Sequence, residues 1–271
     1  MTDQPDVSVI IAAYRAQDFI RTAIDSVVAQ DHASFEILVA PDEPADYRFL
    51  LAHDPRIRVL EPVAAPTGPA QARNRALQIA RGRFVALLDA DDYWSPSYLS
   101  TLLPLAAVHD AAFGRTVIAD WHGTELRSVP ARHHRAIIDF PTFATAYGSL
   151  HGIARREATR SWQDLLAEDV LYDLESLALA GGSAPYMATA IYTLRVRLQS
   201  FSHSEDFIRD IDAGYERLIG LIQNGKTAIP PTLREPASNV FRAWQAMNAR
   251  FAAAWAQDEK LEFHAFVAGL A

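Results

Sequence analysis

The sequence predicts an α/β fold in which a parallel sheet lies between two helical layers, from the start of the chain to about residue 110. Short apolar runs rich in β-branched residues alternate there with segments of helical periodicity, a pattern typical of three-layer proteins. Hydrophobic residues make up 50% of the 271 positions, so the chain can bury a full core. After residue 200 the pattern becomes helical, which predicts a C-terminal helical extension.

The N-terminal elements are predicted one after another along the chain. Continuous apolar runs predict strands, whereas apolar residues three and four positions apart predict helices. These rules give a strand at 7–13, a helix at 18–30, strands at 35–39 and 57–60, a helix at 70–80 and a strand at 84–88. Ser95 and Pro96 predict the start of a further helix, because serine favours the N-cap and proline the first helical position.

Beyond residue 110 the periodicity weakens. We expect short strands at 116–121 and 125–129, loops and an irregular sheet extension at 132–152, a helix at 161–179, a strand at 188–197, and helices at 204–223 and 232–270. The last helix carries an aromatic stripe formed by Val240, Phe241, Trp244, Met247, Phe251 and Trp255. Such a stripe is typical of a packing face. We expect it either to close over the sheet or to form a homodimer interface through the C-terminal helices.

The composition excludes several classes of protein and of site. The formal net charge of −8 argues against a general nucleic-acid surface, which needs clustered lysine and arginine. The absence of cysteine excludes disulfides and thiolate metal sites, so any metal must bind oxygen or imidazole. No run approaches the roughly 18 to 20 apolar residues of a membrane span, and the first residues do not resemble a signal peptide. We expect a cytoplasmic protein, with peripheral attachment to the inner face of the membrane left open.

A cluster of carboxylates follows the predicted strand at 84–88. Asp89, Asp91 and Asp92 lie within four positions at the carboxyl end of that strand, where open α/β sheets place their ligand crevice. Like charges this close repel one another unless a cation joins them, and Mg²⁺ or Mn²⁺ prefers oxygen ligands that are often shared with substrate phosphates. The alternative is a surface cluster that only caps the next helix, although Ser95 already suits that purpose.

Four motifs, in this order, resemble those of the family 2 glycosyltransferases, which have the GT-A fold, a Rossmann-like fold that binds nucleotide-diphosphate sugars. They lie at 7–14, 35–42, 68–77 and 89–92, and the resemblance extends over about residues 6–203. It implies a GT-A catalytic domain at 1–203, with a nucleotide-sugar-binding half at 1–110 and an acceptor-binding half at 111–203. Residues 204–271 are then the C-terminal helical extension.

The resemblance also implies roles for single residues on the nucleotide side. Ala12 and Tyr14 would lie beside the nucleotide base, and Asp42 would hydrogen-bond that base, usually uracil. Arg73 would pair with a phosphate or brace an aspartate.

For the acidic residues, the resemblance implies that Asp89 and Asp91 contact the ribose-diphosphate and that Asp91 and Asp92 hold a divalent metal, Mn²⁺ or Mg²⁺. A metal on a departing nucleoside diphosphate stabilises its negative charge. Glu168 and Asp169 resemble the acidic pair that supplies the general base, with Asp169 as first choice. Acidic residues are also common at helix starts for electrostatic reasons alone. A base opposite the leaving group implies one in-line displacement with inversion.

The chain departs from the family pattern in two places. Arg197 lies where many relatives have histidine, and because a guanidinium only donates hydrogen bonds, it would contact phosphate, or His203 would replace the histidine. The segment at 40–44 lacks the paired aspartates that relatives more often carry. Between the donor motifs and the base, where the acceptor should enter, His151 is a candidate acceptor contact, and Trp94 beside the aspartates is another.

Together these features predict an inverting glycosyltransferase that moves a sugar from a nucleotide-diphosphate sugar, usually a UDP-sugar, to a hydroxyl of a saccharide or lipid-linked acceptor. Cell-surface polysaccharide biosynthesis is the expected setting. Two alternatives stay open. A sugar nucleotidyltransferase would need a glycine-rich phosphate loop after the first strand, and the segment at 12–17 contains no glycine. A non-catalytic relative would bind the nucleotide sugar without turnover, because a fold does not fix a function.

Overall fold

A computed structural model of the chain describes residues 4–130, 136–159, 161–196, 207–258 and 261–270. The described strands are β1 (Val7–Ala13), β2 (Phe35–Pro41), β3 (Ile57–Val59), β4 (Phe84–Leu87), β5 (Tyr93–Trp94), β6 (Ala111–Ala119), β7 (Glu125–Val129), β8 (Ile137–Asp139), β9 (Gly152–Arg155) and β10 (Ser183–Arg195). The described helices are α1 (Ile20–Val28), α2 (Pro69–Ile79), α3 (Tyr98–His109), α4 (Phe140–Ala144), α5 (Glu168–Leu179), α6 (Phe207–Gln223), α7 (Arg234–Trp255) and α8 (Phe263–Ala268).

These strands form one sheet in the order β3-β2-β1-β4-β9-β6-β10-β5, with β7 paired to β6 and β8 paired to β10. β1 runs parallel to β2 and β4, and β2 runs parallel to β3, so the predicted parallel sheet is confirmed for the first four strands. β9 runs antiparallel to both β4 and β6, which makes the whole sheet mixed. The carboxyl ends of β1, β2 and β4 meet at one edge of the sheet.

Helices cover both faces of the sheet, as the alternation of strands and helices predicts. Neighbouring residues of β1 point to opposite faces: Val9 and Ile11 pack with α1 and α3, whereas Ile10 packs with α2 and α5. Burial on both faces explains why these strands are continuous apolar runs in the sequence. Farther from the sheet, α7 packs against α4 and α6.

The helix predicted at 161–179 is shorter in the structure and begins at Glu168. Asn74 of α2 accepts a hydrogen bond from the Trp162 backbone N–H at 2.8 Å and donates one to the Trp162 carbonyl at 2.9 Å. A helix would pair the Trp162 carbonyl with the N–H four residues later, whereas Asn74 holds this carbonyl instead. The beginning of the predicted helix therefore follows the surface of α2 instead.

The helix start predicted at Ser95 and Pro96 is wrong. α3 begins at Tyr98, and Ser95 pairs with β10 instead. The Ser95 N–H donates to the Ile191 carbonyl at 2.8 Å, and the Ser95 hydroxyl accepts the Ile191 N–H at 3.0 Å. The capping alternative for the aspartate cluster fails as well, because α3 has no side-chain cap and starts well beyond the cluster.

The C-terminal half also differs in detail from the sequence prediction. The region at 132–152, predicted as loops and an irregular sheet extension, contains in its described part the short strand β8, which pairs with β10, and also the helix α4, which was not predicted. The helix predicted at 232–270 is divided into α7 and α8. Most of the aromatic stripe packs inside the chain, where Phe241 is fully buried and Trp244 stacks on Phe143 with ring centroids 5.8 Å apart. The packing interpretation is confirmed for the buried part of the stripe, and a homodimer through the C-terminal helices stays a prediction. Among the described helices, none combines the length and hydropathy of a bilayer-spanning segment.

Candidate active site

The aspartate cluster forms a tight turn at the carboxyl end of β4. The Asp92 N–H donates to the Asp89 carbonyl at 3.1 Å and closes this turn. β10 holds the turn from the side, since the Tyr192 hydroxyl accepts the Asp89 N–H at 3.0 Å and donates to the Asp92 carboxylate at 2.8 Å. The Arg195 N–H donates to the other Asp92 oxygen at 2.8 Å, and the Arg195 guanidinium donates to the Asp91 carbonyl. These bonds fix the backbone that carries the three carboxylates.

The carboxylates of the turn differ in burial and in ionisation. Asp92 is 2% exposed, and burial raises its pKa well above the usual range, to which the charges of Asp91 and Asp89 add. Asp89 is closer to solvent, and although desolvation acts against its charge, the Arg73 guanidinium holds the Asp89 pKa below the usual range. The turn thus concentrates negative charge that a bound cation would relieve.

The residues of the turn fit a hard divalent metal that is held together with a substrate. Both Asp92 oxygens accept hydrogen bonds in the buried part of the turn, whereas Asp91 is half-buried and is therefore the more accessible of the two predicted ligands. Within the described ranges there is no group of three or more acidic or histidine side chains that would hold a metal alone. Mg²⁺ is commonly bound by one or two carboxylates plus substrate phosphates. Metal binding by Asp91 and Asp92 stays a prediction.

Arg73 links the aspartate turn to the start of α5. It lies early in α2, a helix that begins after Gly68, whose φ of 93° suits glycine, and has Pro69 in its first turn. The Arg73 side chain is 7% exposed, and its guanidinium nitrogens lie 2.8 Å from Asp89 and 2.5 Å from Glu168. Two motifs that are far apart in the sequence therefore share one buried ion-pair network.

Glu168 and Asp169 are neighbours in the chain but have different surroundings. Glu168 is buried, and burial raises its pKa to about 7 against the opposing charge of Arg73, with the Asp169 charge adding to the rise. Asp169 is half-buried and accepts a hydrogen bond from the Ser149 hydroxyl at 2.7 Å. Glu168 is thus engaged by Arg73, whereas the Asp169 carboxylate keeps part of its surface accessible.

His151 lies close to both the aspartate turn and the start of α5. Its Nδ1 is 2.9 Å from the Thr116 hydroxyl, and its ring stacks on Tyr192 with centroids 3.5 Å apart. Burial lowers the His151 pKa to about 4 against the opposing charges of Asp89 and Asp169, so the imidazole is neutral near pH 7. A neutral imidazole can donate to or accept from a sugar hydroxyl. The acceptor contact of His151 stays a prediction.

Tyr14 and Asp42, the residues predicted to contact the base, lie just beyond the ends of β1 and β2. Tyr14 is 48% exposed, and the Arg15 guanidinium lies 5.1 Å from its ring centre. Asp42 is buried and accepts hydrogen bonds from the Thr67 N–H at 2.9 Å, the Thr67 hydroxyl at 2.7 Å and the Gly68 N–H at 2.8 Å. Asp42 therefore holds the backbone that leads into α2. Its contact with the nucleotide base stays a prediction.

The other predicted site residues have different outcomes. The acceptor contact predicted for Trp94 is wrong, because this side chain is 3% exposed and stacks on Tyr98, with ring centroids 4.6 Å apart, in the core beneath α1 and α3. Arg197 and His203 lie outside the described residues. Ala12 lies near the end of β1, paired with β2.

Four residues that build the site were missed by sequence reasoning, and all of them act across long sequence separations. They are Thr116, Ser149, Tyr192 and Arg195. Arg195 is the only one with a signal in the sequence, since it belongs to the same basic segment as Arg197.

Comparisons with known proteins identify the family of the chain. The sequence profile described as Glycosyl transferase family 2 matches residues 8–160, which include the aspartate turn. The UDP-Glc:alpha-D-GlcNAc-diphosphoundecaprenol beta-1,3-glucosyltransferase WfgD of Escherichia coli is 37% identical over 110 residues, covering 40% of this chain and 43% of that protein. The putative teichuronic acid biosynthesis glycosyltransferase TuaG of Bacillus subtilis is 37% identical over 118 residues, covering 42% and 46%. The chain spans less than half the length of these two curated relatives.

Solved structures share the fold over most of the chain. The structure of S. aureus TarS 1-349 in complex with UDP-GlcNAc matches with a TM-score of 0.64 and 20% identity, covering 88% of this chain and 71% of that chain. The mannosyltransferase PcManGT from Pyrobaculum calidifontis, in complex with GDP-Man and Mn²⁺, matches with a TM-score of 0.62 and 18% identity, covering 99% and 80%. At these identities the likeness shows the fold alone, and it confirms the predicted GT-A fold.

Proposed function

The chain belongs to glycosyl transferase family 2, and we propose that it transfers a sugar from a nucleotide-diphosphate sugar, with UDP as the nucleotide, to an acceptor hydroxyl with inversion. The observation that carries this proposal is the buried network of Arg73, which joins Asp89 on the donor side to Glu168 beside the proposed base. The donor turn and the base then belong to one site, as a direct displacement requires.

UDP as the nucleotide is supported by the chain and by its relatives. The exposed ring of Tyr14 offers a stacking surface next to the buried Asp42. WfgD is named for UDP-Glc, and TarS is solved with UDP-GlcNAc. The GDP-Man complex of PcManGT makes guanosine the alternative base to test.

Breaking the bond between sugar and diphosphate leaves negative charge on the departing nucleotide. A divalent metal, Mn²⁺ or Mg²⁺, would be held by Asp91 and Asp92 and would supply Lewis-acid stabilisation of that charge. The chain itself contributes positioning. Arg73 pairs with the Asp89 carboxylate, and Tyr192 fixes the backbone of the turn through the Asp89 N–H. A preorganised turn spends little free energy on reorganisation when the donor binds.

Asp169 is the proposed general base, which takes the proton of the acceptor hydroxyl as its oxygen attacks the anomeric carbon. Its accessible carboxylate suits this role, whereas Glu168 is buried against Arg73. Attack on the side opposite the leaving diphosphate is a single displacement, so the anomeric configuration inverts. His151, close to Asp169, is the proposed acceptor contact.

The proposed acceptor is a saccharide, free or lipid-linked, of a cell-surface polysaccharide. The name of WfgD includes a diphosphoundecaprenol-linked sugar, and that of TuaG includes teichuronic acid biosynthesis. In this proposal residues 1–203 are the catalytic domain, with the donor half at 1–110 and the acceptor half at 111–203. Residues 204–271 are the helical extension, which shares a hydrophobic core with α2 and α5 through α6 and α7. A lipid-linked acceptor would place the protein at the inner face of the membrane.

Release of nucleoside diphosphate from UDP-glucose, UDP-N-acetylglucosamine or GDP-mannose, with Mn²⁺ and purified protein, tests the proposal. Asp169→Asn is expected to bind the donor as the wild type does but to lower turnover by about 10²- to 10⁴-fold. Asp25→Asn, on a 60% exposed side chain of α1, is the matched control. Retained turnover in Asp169→Asn would move the base to Glu168. Donor binding by the wild type without hydrolysis, and without turnover with any saccharide acceptor, would favour the non-catalytic alternative. Synthesis of UDP-sugar from UTP and a sugar 1-phosphate would favour the nucleotidyltransferase.

A further inference from the structure

Ser149 makes a direct contact with the proposed base. Its hydroxyl donates to Oδ2 of Asp169 at 2.7 Å. Across the described ranges, Oδ1 of Asp169 accepts no hydrogen bond from another side chain or backbone group, so it is the oxygen left for an acceptor hydroxyl. Hydrogen bonds to an ionised carboxylate are stronger and more directional than neutral ones. Ser149 therefore sets how the carboxylate is rotated within the site.

The loop that carries Ser149 is anchored by Arg127 of β7. The guanidinium of Arg127 donates to the carbonyl oxygen of Ala146 at 3.1 Å and to that of Tyr147. A Cβ atom on Gly148 would lie 2.9 Å from Nη2 of Arg127, so glycine allows the guanidinium to approach this closely. The two carbonyls that Arg127 holds immediately precede Gly148 and Ser149.

Arg127 is unusual because it is buried among neutral partners. It is 8% exposed, and burial lowers its pKa to about 10, which still leaves it charged near pH 7. In the described part of the chain, its hydrogen bonds go to the two loop carbonyls and, from Nε, to Nδ1 of His264 at 3.2 Å. His264 lies on α8, which packs against β7. The C-terminal helix therefore completes the surroundings of Arg127.

We propose that Ser149 is a positioning residue for Asp169, that Arg127 holds the Ser149 loop in place, and that α8 supports Arg127 through His264. This inference rests on the proposed function, because it takes Asp169 as the base. It extends that function by making the C-terminal extension part of the machinery that orients the base. A positioned base accelerates proton transfer only if its oxygen is within hydrogen-bond reach of the acceptor.

Substitution of Ser149 tests the inference with UDP release from the UDP-sugar that the protein turns over fastest. Ser149→Ala is expected to lower kcat about 10- to 100-fold, the range for loss of one hydrogen bond to a charged group. The KM for the UDP-sugar should stay unchanged, because Ser149 contacts the base and not the donor turn. Ser149→Thr keeps the hydroxyl and should restore most of the kcat. Ser128→Ala is the matched control, since the Ser128 hydroxyl donates to an exposed carboxylate, Glu125, at 2.9 Å.

A double-variant cycle separates positioning from loss of folding. Arg127→Lys keeps the charge but cannot hold two carbonyls and His264 in one plane, so it should also lower kcat. If both residues act through the Ser149 contact, the double variant should be no slower than the slower single variant.

A wild-type kcat in Ser149→Ala, beside an inactive Asp169→Asn, would overturn this inference and leave the proposed base intact. An active Asp169→Asn would overturn the proposed base. Equal losses of kcat in Ser149→Ala and Ser149→Thr, with lowered Tm in both, would reduce Ser149 to a structural role and overturn the inference.

Discussion

Replacing Glu168 by glutamine probes the buried junction between the aspartate turn and α5. Glu168 lies 2.5 Å from Arg73, and burial raises its pKa from 4.5 to about 7. A carboxyl whose folded pKa exceeds its unfolded pKa stabilises the fold fully below the lower value, and this contribution is lost as the pH rises through the higher value. For Glu168 the loss is on the order of 3 kcal/mol between those two pH values. Glutamine is neutral at every pH and does not lose this contribution.

The free energy of unfolding should therefore change differently in the two proteins. As the pH is raised from below 5 to 8, the wild type should lose about 3 kcal/mol of unfolding free energy relative to Glu168→Gln. Urea denaturation followed by tryptophan fluorescence at each pH measures this difference. Other buried acids, such as Asp92 and Asp173, titrate in both proteins, so their contributions cancel.

Glu235→Gln is the control for this experiment. Glu235 forms an exposed ion pair with Arg242 at 2.8 Å, and such surface pairs contribute about 0 to 1 kcal/mol. The difference in free energy of unfolding between Glu235→Gln and the wild type should stay nearly constant above pH 5. If the wild type instead becomes more stable than Glu168→Gln as the pH rises, the attraction of Arg73 outweighs burial and the reasoning about Glu168 is refuted.

Two further predictions concern the aspartate turn. Tyr192→Phe should lower the free energy of unfolding by about 1 to 3 kcal/mol, because the Asp89 N–H and one Asp92 oxygen lose their buried partner. Urea denaturation measures this loss, and stability equal to that of the exposed control Tyr14→Phe would contradict it. Asp91→Ala should abolish the gain in UDP affinity that Mn²⁺ gives the wild type, because the metal is held jointly by the turn and the diphosphate. Isothermal titration with and without Mn²⁺ measures the gain, and an undiminished gain would remove Asp91 from the metal site.

The donor side of the site could be predicted from the sequence. Parallel strands buried on both faces are continuous apolar runs, and their carboxyl ends meet at one edge of the sheet. Tyr14, Asp42 and Asp89 each follow such a run, so their proximity follows from the order of strands. The family resemblance then adds the chemical roles that the spacing alone does not supply.

Contacts between segments that are far apart in the chain could not be predicted from the sequence. Ser95 has the residue type of an N-cap, yet it pairs with Ile191 of β10. Trp94 follows the aspartates, but β5 places its ring in the core against Tyr98. Both outcomes depend on the pairing of β5 with β10, which no local periodicity encodes.

The contacts that hold the proposed base, Asp169, could not be predicted from the sequence for the same reason. Ser149 lies in a region without helical or strand periodicity, and its contact with Asp169 depends on where Arg127 anchors the loop. Arg127 belongs to a correctly predicted strand at 125–129, but the strand pattern says nothing about what its side chain reaches. Side-chain partners across loops follow from packing rather than from propensity.

The configuration of the first sugar product tests the proposed single displacement most directly. UDP-glucose carries its sugar in the α configuration, so attack by the acceptor hydroxyl, or by water in its place, opposite the diphosphate gives the β anomer. Proton NMR distinguishes the two anomeric signals during the first turnovers, before mutarotation mixes them. We predict that the β anomer forms first. An α product from the first turnovers would contradict a base that activates the acceptor opposite the leaving group, and with it the role of Asp169.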